Sequence, residues 1–229
     1  MTSQRLFPAI LALLLTLAAC TDQPPTTPAT ETGANGAAPA PSDMAKIPLI
    51  AFLGDSLTAG NGLAESEAYP AVIRARLEHQ GQSLRIVNAG VSGDTSAGGL
   101  ARLDWLLAQH PDILVVALGA NDGLRGLPVA ELEHNLTAIV ARTRATGCKV
   151  LLAGMRVPPN YGEDYSQAFA EVYPRVAQAN DIALVPFLLE GVGGDPSLNQ
   201  ADGIHPTAAG QGKLADNVWK GLSTLLVSK

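Results

Sequence analysis

Five short apolar runs recur along the chain from residue 47 onward. They are rich in Val, Ile and Leu, and they lack the alternation of apolar and polar residues that a half-exposed strand shows. Strands buried on both faces of a parallel sheet have this composition. The pattern therefore predicts five strands buried on both faces, at residues 47–53, 84–88, 113–118, 149–155 and 183–186.

Longer amphipathic stretches separate these runs, and each is long enough for a helix. Their alternation with the strands predicts an α/β fold, a three-layer α/β/α sandwich around a sheet of about five parallel strands. The predicted helices are residues 69–80, 97–109, 128–146, 166–179 and a closing helix at 207–226. We expect Trp105 and Trp219, which fall in two of these helices, to pack in the core or between helices.

The N-terminal segment follows neither pattern. Arg5 precedes an apolar run at residues 6–19, which at about 14 residues is shorter than the roughly 20 that a membrane-spanning helix needs, so it indicates a signal peptide. Leu17-Ala18-Ala19-Cys20 resembles the lipobox of bacterial lipoproteins, in which the cysteine becomes lipidated. An ordinary signal peptide that is cut after Ala19 is the alternative.

The segment after Cys20 is rich in Pro, Thr, Ala and Gly, and it has almost no large apolar residue to offset chain entropy. We therefore expect a signal peptide at 1–19, a disordered tether at 20–45 and a folded domain at 46–229. This organisation favours export to the bacterial cell envelope, either lipid-anchored at Cys20 on the periplasmic face or free in the periplasm. We expect contact with the membrane only through that lipid.

Charge and composition exclude several functions. The 229 residues carry a formal net charge of −6 and no block of Lys or Arg, so the chain lacks the basic surface that binding to nucleic acid or anionic lipid would require. Cys20 and Cys148 are too few for a disulfide framework or a thiolate zinc site, and we expect Cys148 to be a small buried residue. His79, His110 and His134 lack matched ligand spacing, so we expect no zinc site.

The residues that could carry chemistry lie in loops that follow predicted strands, where ligands bind in parallel α/β sheets. Gly54-Asp55-Ser56-Leu57 follows the first strand and would expose the Ser56 hydroxyl at a strand-to-helix turn. A plain turn with a capping serine is the alternative for this motif taken alone. Glycine-rich loops follow the second and third strands, and in them Gly93 and Asn121 are candidate N–H donors.

Asp202 and His205 precede the last predicted helix. Their spacing of three lets the carboxylate hold one ring nitrogen while the other faces outward, and Pro206 suits the first helical position. A histidine paired with a carboxylate and a candidate serine indicates a general base. The other loop carboxylates are expected to brace their loops as acceptors for backbone N–H groups: Asp55, Asp94 and Asp122.

These blocks, in this order, resemble the GDSL or SGNH hydrolase family, and within it the bacterial arylesterase, thioesterase I and lysophospholipase group. The matching blocks are residues 54–57, 92–96, 119–123 and 202–206, and the similarity extends over most of residues 47–226. Ala120 departs from the second glycine of many members. The resemblance implies a flavodoxin-like sheet (the SGNH hydrolase fold), small acyl-ester substrates and no metal or cofactor. We also expect a monomer.

The resemblance further implies a role for each matching residue. Ser56 would be the nucleophile, His205 the general base and then acid, and Asp202 the group that orients the imidazole. The oxyanion hole would combine the backbone N–H groups of Ser56 and Gly93 with the side-chain amide of Asn121.

The function that follows is an exported serine esterase with broad short-to-medium acyl tolerance, and the resemblance adds thioesterase and lysophospholipase activity. Loops near Leu124, Val157 and Pro158 are expected to set the depth of the acyl pocket. A carbohydrate O-deacetylase on the same scaffold is an alternative, but it would need aromatic sugar-binding loops, and aromatics are 4% of the chain. A catalytically silent lipoprotein binding module is the other alternative, and it would not need Ser56, Asn121 and His205 together.

Overall fold

The computed structural model of the chain describes residues 47–227. The predicted signal peptide at 1–19, the predicted lipidation residue Cys20 and the predicted tether at 20–45 lie outside the described residues. Between residues 47 and 227, no helix combines the length and the apolarity that crossing a bilayer requires.

One parallel sheet of five strands runs through the described residues. Its strands are β1 (Leu49–Gly54), β2 (Arg85–Gly90), β3 (Ile113–Ala117), β4 (Lys149–Ala153) and β5 (Ala183–Val185). Their order across the sheet is β2-β1-β3-β4-β5, which confirms the predicted parallel α/β architecture. Every residue of β1 and β3 is buried, as expected for strands with both faces covered. For β2 that expectation is wrong, because it is an edge strand in which only Ala89 is buried.

Helices supply the outer layers, and short helices begin in the loops at the carboxyl edge of the sheet. They are α1 (Ser56–Ala59), α2 (Tyr69–His79), α3 (Ser96–Ala101), α4 (Leu103–Leu107), α5 (Ala120–Leu124), α6 (Val129–Ala145), α7 (Glu163–Ala179) and α8 (Ala208–Val227). Single 3-10 turns lie at Glu65–Glu67 and Pro159–Tyr161. Helix α2 packs against α8, and α6 packs against α3 and α7.

The first three strands end at the same level. Gly54, the last residue of β1, pairs with Gly90 of β2 on one side and with Ala117 of β3 on the other. The chain runs from β1 outward to β2 and then back across β1 to β3, and this reversal opens a crevice at the carboxyl ends of the strands. The loops after these three strands therefore meet at one place.

Two predicted helices differ from the structure. The predicted helix at 97–109 is two helices, α3 and α4, because Arg102 leaves helical geometry (φ −102°, ψ 5°) and its guanidinium bonds the ends of two strands. Helix α7 begins at Glu163 rather than at 166, and its first turn carries Glu163 and Asp164, which stabilise the positive end of a helix.

The prediction that Pro206 opens the last helix is wrong. Pro206 forms an antiparallel bridge with Asn199, and the N–H of Thr207 donates to the carbonyl of Leu198 at 2.8 Å, so this segment is extended. The hydroxyl of Thr207 accepts from the N–H of Gly210 at 3.3 Å and serves the first turn of α8.

The prediction that Trp105 is a core or packing residue is also wrong, because 62% of its surface is exposed. Helix α4 is short, and it buries Leu103 and Leu106 instead. Trp219 does pack between helices, with the Arg76 guanidinium 5.2 Å from its ring centroid.

One buried side chain ties the last helix to the first loop. The Gln211 side-chain oxygen accepts from the N–H of Tyr69 at 2.8 Å, and its side-chain nitrogen donates to the carbonyl of Leu57 at 3.1 Å. Gln211 is only 1% exposed, so these bonds form in a low-dielectric environment where losing either would leave an unsatisfied polar group. The position of α8 is therefore fixed relative to α1 and α2.

Helix α1 lies directly against the end of β2. A Cβ atom at Gly90 would stand 2.3 Å from the backbone nitrogen of Ala59 and 2.8 Å from its Cα. Only glycine allows this approach, which brings the turn containing Ser56 onto the sheet.

We predict that Gly90→Ala lowers the free energy of unfolding by about 1–3 kcal/mol, because the methyl group collides with backbone that cannot rotate away. Gly212→Ala is the matched control, since Gly212 lies in α8 with open space around it; alanine there should stabilise the helix by about 1 kcal/mol. Urea unfolding measures both changes. A Gly90→Ala variant as stable as the wild type would contradict the close approach.

Candidate active site

Ser56 is the first residue of α1, immediately after β1. The Asp55 carboxylate caps this one-turn helix by accepting from the N–H of Leu57 at 3.0 Å, and Gly60 ends it in the left-handed conformation (φ 74°). The turn lifts the Ser56 side chain to the carboxyl edge of the sheet, where it is partly exposed.

Ser56, His205 and Asp202 form one hydrogen-bonded chain. The Ser56 Oγ lies 2.9 Å from the Nε2 of His205, and the Nδ1 of His205 lies 2.7 Å from the Oδ2 of Asp202. The Oδ1 of Asp202 also accepts from the N–H groups of Ile204 and His205, each at 3.0 Å. The structure thus brings together side chains that are 149 residues apart.

The electrostatics of this chain determine which ring nitrogen carries the proton. The hydrogen bond from His205, followed by the two backbone N–H groups, lowers the pKa of Asp202 to about 2. Asp202 is therefore an anion near neutral pH and can only accept, which assigns a proton to the Nδ1 of His205. In the neutral imidazole, Nε2 then accepts the hydrogen bond that the Ser56 hydroxyl donates.

Two further donors named from the sequence lie in the loops after β2 and β3. Gly93 adopts a positive φ of 81°, and Asn121 is the second residue of α5. The Nδ2 of Asn121 donates one hydrogen bond to the carbonyl of Asp94 at 2.9 Å, which fixes the side-chain amide while leaving its second N–H available. Both residues line the same pocket as Ser56 and His205.

Arg102 joins the loops that carry these donors. Its Nη2 donates to the carbonyl of Gly54 at 2.9 Å, its Nη1 to the carbonyl of Ala89 at 2.7 Å, and its Nε to the Asp94 carboxylate at 2.7 Å. The ends of β1 and β2 and the following loop are therefore held by one planar cation. The prediction that the Asp94 carboxylate accepts from a backbone N–H group is wrong, because this carboxylate binds Arg102 instead.

The predicted bracing by Asp55 and Asp122 is confirmed. Asp122 is 3% exposed and accepts from both the N–H and the hydroxyl of Ser96, which joins the loop after β3 to the start of α3. Asp55 is 1% exposed, and its pKa is raised to about 7, mainly because burial disfavours the charged carboxylate.

A pocket of about 590 Å³ opens beside Ser56. Leu124, Val157 and Pro158, the residues predicted to border the acyl pocket, all line it. Further apolar side chains complete its wall: Met155, Phe187, Leu189 and Ile204. The pocket therefore offers an apolar surface next to a polar cluster of donors and acceptors, as small-molecule sites usually do.

Residues set aside in the sequence analysis lie elsewhere. Cys148 is 4% exposed at the amino end of β4, as predicted, and burial raises the pKa of its thiol to about 12. It lines a second pocket with His110 at the opposite edge of the sheet. Across residues 47–227, no group of three or more His, Cys, Asp or Glu side chains is placed to hold a metal ion.

Sequence reasoning missed three residues of this region. Arg102 braces the loops, and Arg156 and Phe187 line the pocket. Arg156 and Phe187 follow β4 and β5, so their place after a strand was a signal that could have drawn attention to them. Arg102 lies in a segment, residues 100–103, that resembles the same family group, but its contacts lie up to 48 residues away and could not be predicted from that resemblance.

A serine, an imidazole and a carboxylate linked in this way at the carboxyl edge of a parallel sheet are typical of α/β ester hydrolases. The sequence points to the same class. The model of the GDSL-like Lipase/Acylhydrolase family matches residues 52–213, and the chain belongs to this family.

Named relatives agree with this assignment. Esterase TesA of Pseudomonas aeruginosa is 50% identical over 186 residues, which are 81% of this chain and 92% of that protein. Thioesterase 1/protease 1/lysophospholipase L1 of Escherichia coli K12 is 42% identical over 178 residues, 77% of this chain and 84% of that protein. A crystal structure of TesA, 50% identical, gives a TM-score of 0.75 and covers 77% of this chain and 99% of the solved chain. The protein is a hydrolase of ester bonds.

We predict that Asp55 makes stability depend on pH. Its pKa is about 7 in the folded state and 3.8 ordinarily, so the folded state favours the protonated carboxyl. The cost of ionising the buried Asp55 carboxyl is absent below about pH 4, grows as pH rises to about 7 and is complete above pH 7. It lowers the free energy of unfolding by at most on the order of 4 kcal/mol. The lowered pKa of Asp202 has the opposite effect: it stabilises the folded state, and this contribution is lost only as pH falls below about 4.

Urea unfolding of wild type and Asp55→Asn between pH 5 and pH 8 measures this effect. The isosteric amide keeps the acceptor for Leu57 but cannot ionise, so wild type should lose stability relative to Asp55→Asn as pH rises. A difference between the two proteins that stays constant over this range would contradict a buried, titrating Asp55.

Proposed function

We propose that Ser56, His205 and Asp202 are the catalytic residues of an exported serine esterase that works through an acyl-Ser56 intermediate. The 2.9 Å contact between Ser56 Oγ and His205 Nε2, at the mouth of an apolar pocket, is the observation that carries this proposal. A serine hydroxyl is a weak nucleophile, and an adjacent imidazole base is what activates it.

In the first half of the reaction, Ser56 Oγ attacks the acyl carbonyl carbon and its proton passes to His205 Nε2. The Asp202 carboxylate stabilises the resulting imidazolium. The N–H groups of Ser56 and Gly93 and the free N–H of Asn121 stabilise the negative oxygen of the tetrahedral intermediate. His205 then protonates the departing alcohol, which leaves the acyl group on Ser56.

In the second half, His205 takes a proton from water while that water attacks the acyl-serine ester. The second tetrahedral intermediate collapses, the carboxylic acid leaves, and Ser56 recovers its proton from His205. The apolar wall of Leu124, Val157 and Pro158 supports short-to-medium acyl chains as substrates.

The alternatives receive less support. Among the pocket-lining residues in the described part of the chain, Phe187 is the only Phe, Tyr or Trp, and the Arg156 guanidinium lies over its ring, so a carbohydrate deacetylase would have little aromatic surface on which to stack a sugar ring. The E. coli relative is named a thioesterase and a lysophospholipase. An exported enzyme would not meet cytosolic acyl-CoA, so we propose that esters, including lysophospholipids, are its substrates.

We predict that Ser56→Ala abolishes ester hydrolysis and covalent labelling by a fluorophosphonate probe, because only an activated serine reacts with it. Ser92→Ala is a matched control, since the Ser92 hydroxyl lies in the same pocket but donates to the Asn61 side chain rather than to an imidazole. It should keep both the label and the activity. Labelling that survives Ser56→Ala would overturn the assignment, and an unlabelled wild type would favour a silent binding module.

We predict that Asn121→Ala lowers kcat roughly 100- to 1000-fold, because one oxyanion donor is lost. KM should change little, since that hydrogen bond strengthens as charge develops on the oxygen. Steady-state kinetics on a soluble ester separate the two parameters. An effect on KM alone would place Asn121 in ground-state binding.

The N-terminal sequence supports a proposal for location. Arg5, the short apolar run and Cys20 fit a lipoprotein signal, and Thr21 after the cysteine favours the outer membrane by resemblance to Gram-negative lipoproteins. Several acyl chains on one residue would hold the domain stably, at about 0.8 kcal/mol per buried methylene. The tether would let a monomeric domain act on esters at some distance from that membrane.

We predict that Cys20→Ser releases active esterase into the soluble fraction or blocks removal of the signal peptide. The specific activity of the folded domain should be unchanged, because residues 47–227 contain the whole candidate site. Fractionation and mass spectrometry of the N-terminus provide the measurement. A variant that is processed and still fully recovered with membranes would disprove lipid anchoring at Cys20 and favour an ordinary signal peptide cut after Ala19.

A further inference from the structure

Arg156 supplies a positive charge to the wall of the active-site pocket. It lies in the loop after β4, and its guanidinium carbon is 4.9 Å from the centroid of the Phe187 ring in the loop after β5. A cation over the face of an aromatic ring is attracted to it. The contact holds a long, flexible side chain in place beside the pocket that also contains Ser56.

The hydrogen-bonding groups of Arg156 are not used by the protein. Within residues 47–227, its guanidinium makes this ring contact but no ion pair and no hydrogen bond. Two arginines near the pocket are engaged, by contrast: Arg102 pairs with Asp94, and Arg125 donates to the carbonyl of Gly93. Arg156 therefore keeps the planar set of N–H donors that suits a carboxylate or a phosphate.

The charge of the pocket differs from that of the whole chain. The chain carries −6, yet among the pocket-lining residues of the described part there is no Asp or Glu, and Arg156 alone carries a permanent charge. An anion that approaches this acidic protein finds a local positive site there. A purely neutral ester would gain nothing from it.

We propose that Arg156 binds an anionic group of the ester substrate, a carboxylate or a phosphate, while Ser56 attacks the ester bond. This inference rests on the proposed function of Ser56 and narrows its substrate class to esters that carry a negative charge. The anion belongs to one of the two halves of the ester: it is a carboxylate at the far end of the acyl chain, or a phosphate on the alcohol, as in a lysophospholipid. Phe187 positions the guanidinium for this contact.

Two matched substrate pairs test the proposal and distinguish the two halves of the ester. For the acyl side, 4-nitrophenyl hexanoate is compared with the mono-4-nitrophenyl ester of adipic acid, which ends in a carboxylate. For the alcohol side, monohexanoylglycerol is compared with hexanoyl lysophosphatidylglycerol, below the concentrations at which micelles form. The readout is kcat/KM for wild type, Arg156→Gln, Arg156→Lys and Arg85→Gln.

We expect Arg156→Gln to lower kcat/KM roughly tenfold for the anionic member of one pair, the change expected for losing a hydrogen bond to a charged group. The neutral esters should change little. Arg156→Lys should recover part of the loss, and added NaCl should weaken the wild-type preference for the anion. Arg85→Gln removes the same charge at the start of β2, at the far edge of the sheet, and should have no effect.

Three results would overturn the proposal. If Arg156→Gln slows the neutral and anionic members of both pairs equally, Arg156 only packs against Phe187. If Arg156→Gln slows neither the neutral nor the anionic esters, the charge of Arg156 plays no part in recognition. If Arg85→Gln lowers kcat/KM for the anionic ester as much as Arg156→Gln does, only the net charge of the protein matters. In all three cases the wild type still hydrolyses the neutral esters, so the proposed function stands; a wild type that hydrolyses no ester would overturn both.

Discussion

The Arg102 guanidinium is the contact on which the geometry of the candidate site depends. Its three donor nitrogens bind the carbonyl ends of two strands and the Asp94 carboxylate, and the carbonyl of Asp94 in turn holds the amide of Asn121. A lysine could not replace it, because an ammonium is a point charge and not a rigid fork. One largely buried cation thus holds the end of the strand before Ser56 and, through Asp94, the side-chain amide of Asn121, a proposed oxyanion donor.

Much of this fold could be predicted from the sequence because its signals are local. The buried strands appear as apolar runs, and the loop motifs appear in the order in which the sheet brings them together. The features that could not be predicted depend on contacts distant in sequence. The break at Arg102 is made by strand ends, the extended backbone at Pro206 by Asn199 and Leu198, and the exposure of Trp105 by the shortness of the helix that results.

The candidate site shows the same division. Ser56, Asp202 and His205 were predicted because their spacing resembles a family motif, and the structure places them within hydrogen-bonding distance. Arg156 and Phe187 carry no motif, and neither residue indicates a site by itself. Their relation appears only when the loops after β4 and β5 lie side by side, which brings a cation over a ring at the pocket wall. Residues proposed to select the substrate are therefore harder to predict from the sequence than residues proposed to react with it.

The separation of Ser56 and His205 along the chain also determines when the candidate site can form. Ser56 is synthesised early, but its hydrogen-bond partner His205 follows 149 residues later. The loop that carries His205 leads into α8, the helix that ends the described chain. Gln211 can bond Leu57 and Tyr69 only after that helix has docked. A chain still emerging from the ribosome, or one cut by a protease before α8, lacks the helix that follows the His205 loop and packs against the Ser56 region. The proposed hydrolysis therefore requires that the C-terminal helix be complete and docked.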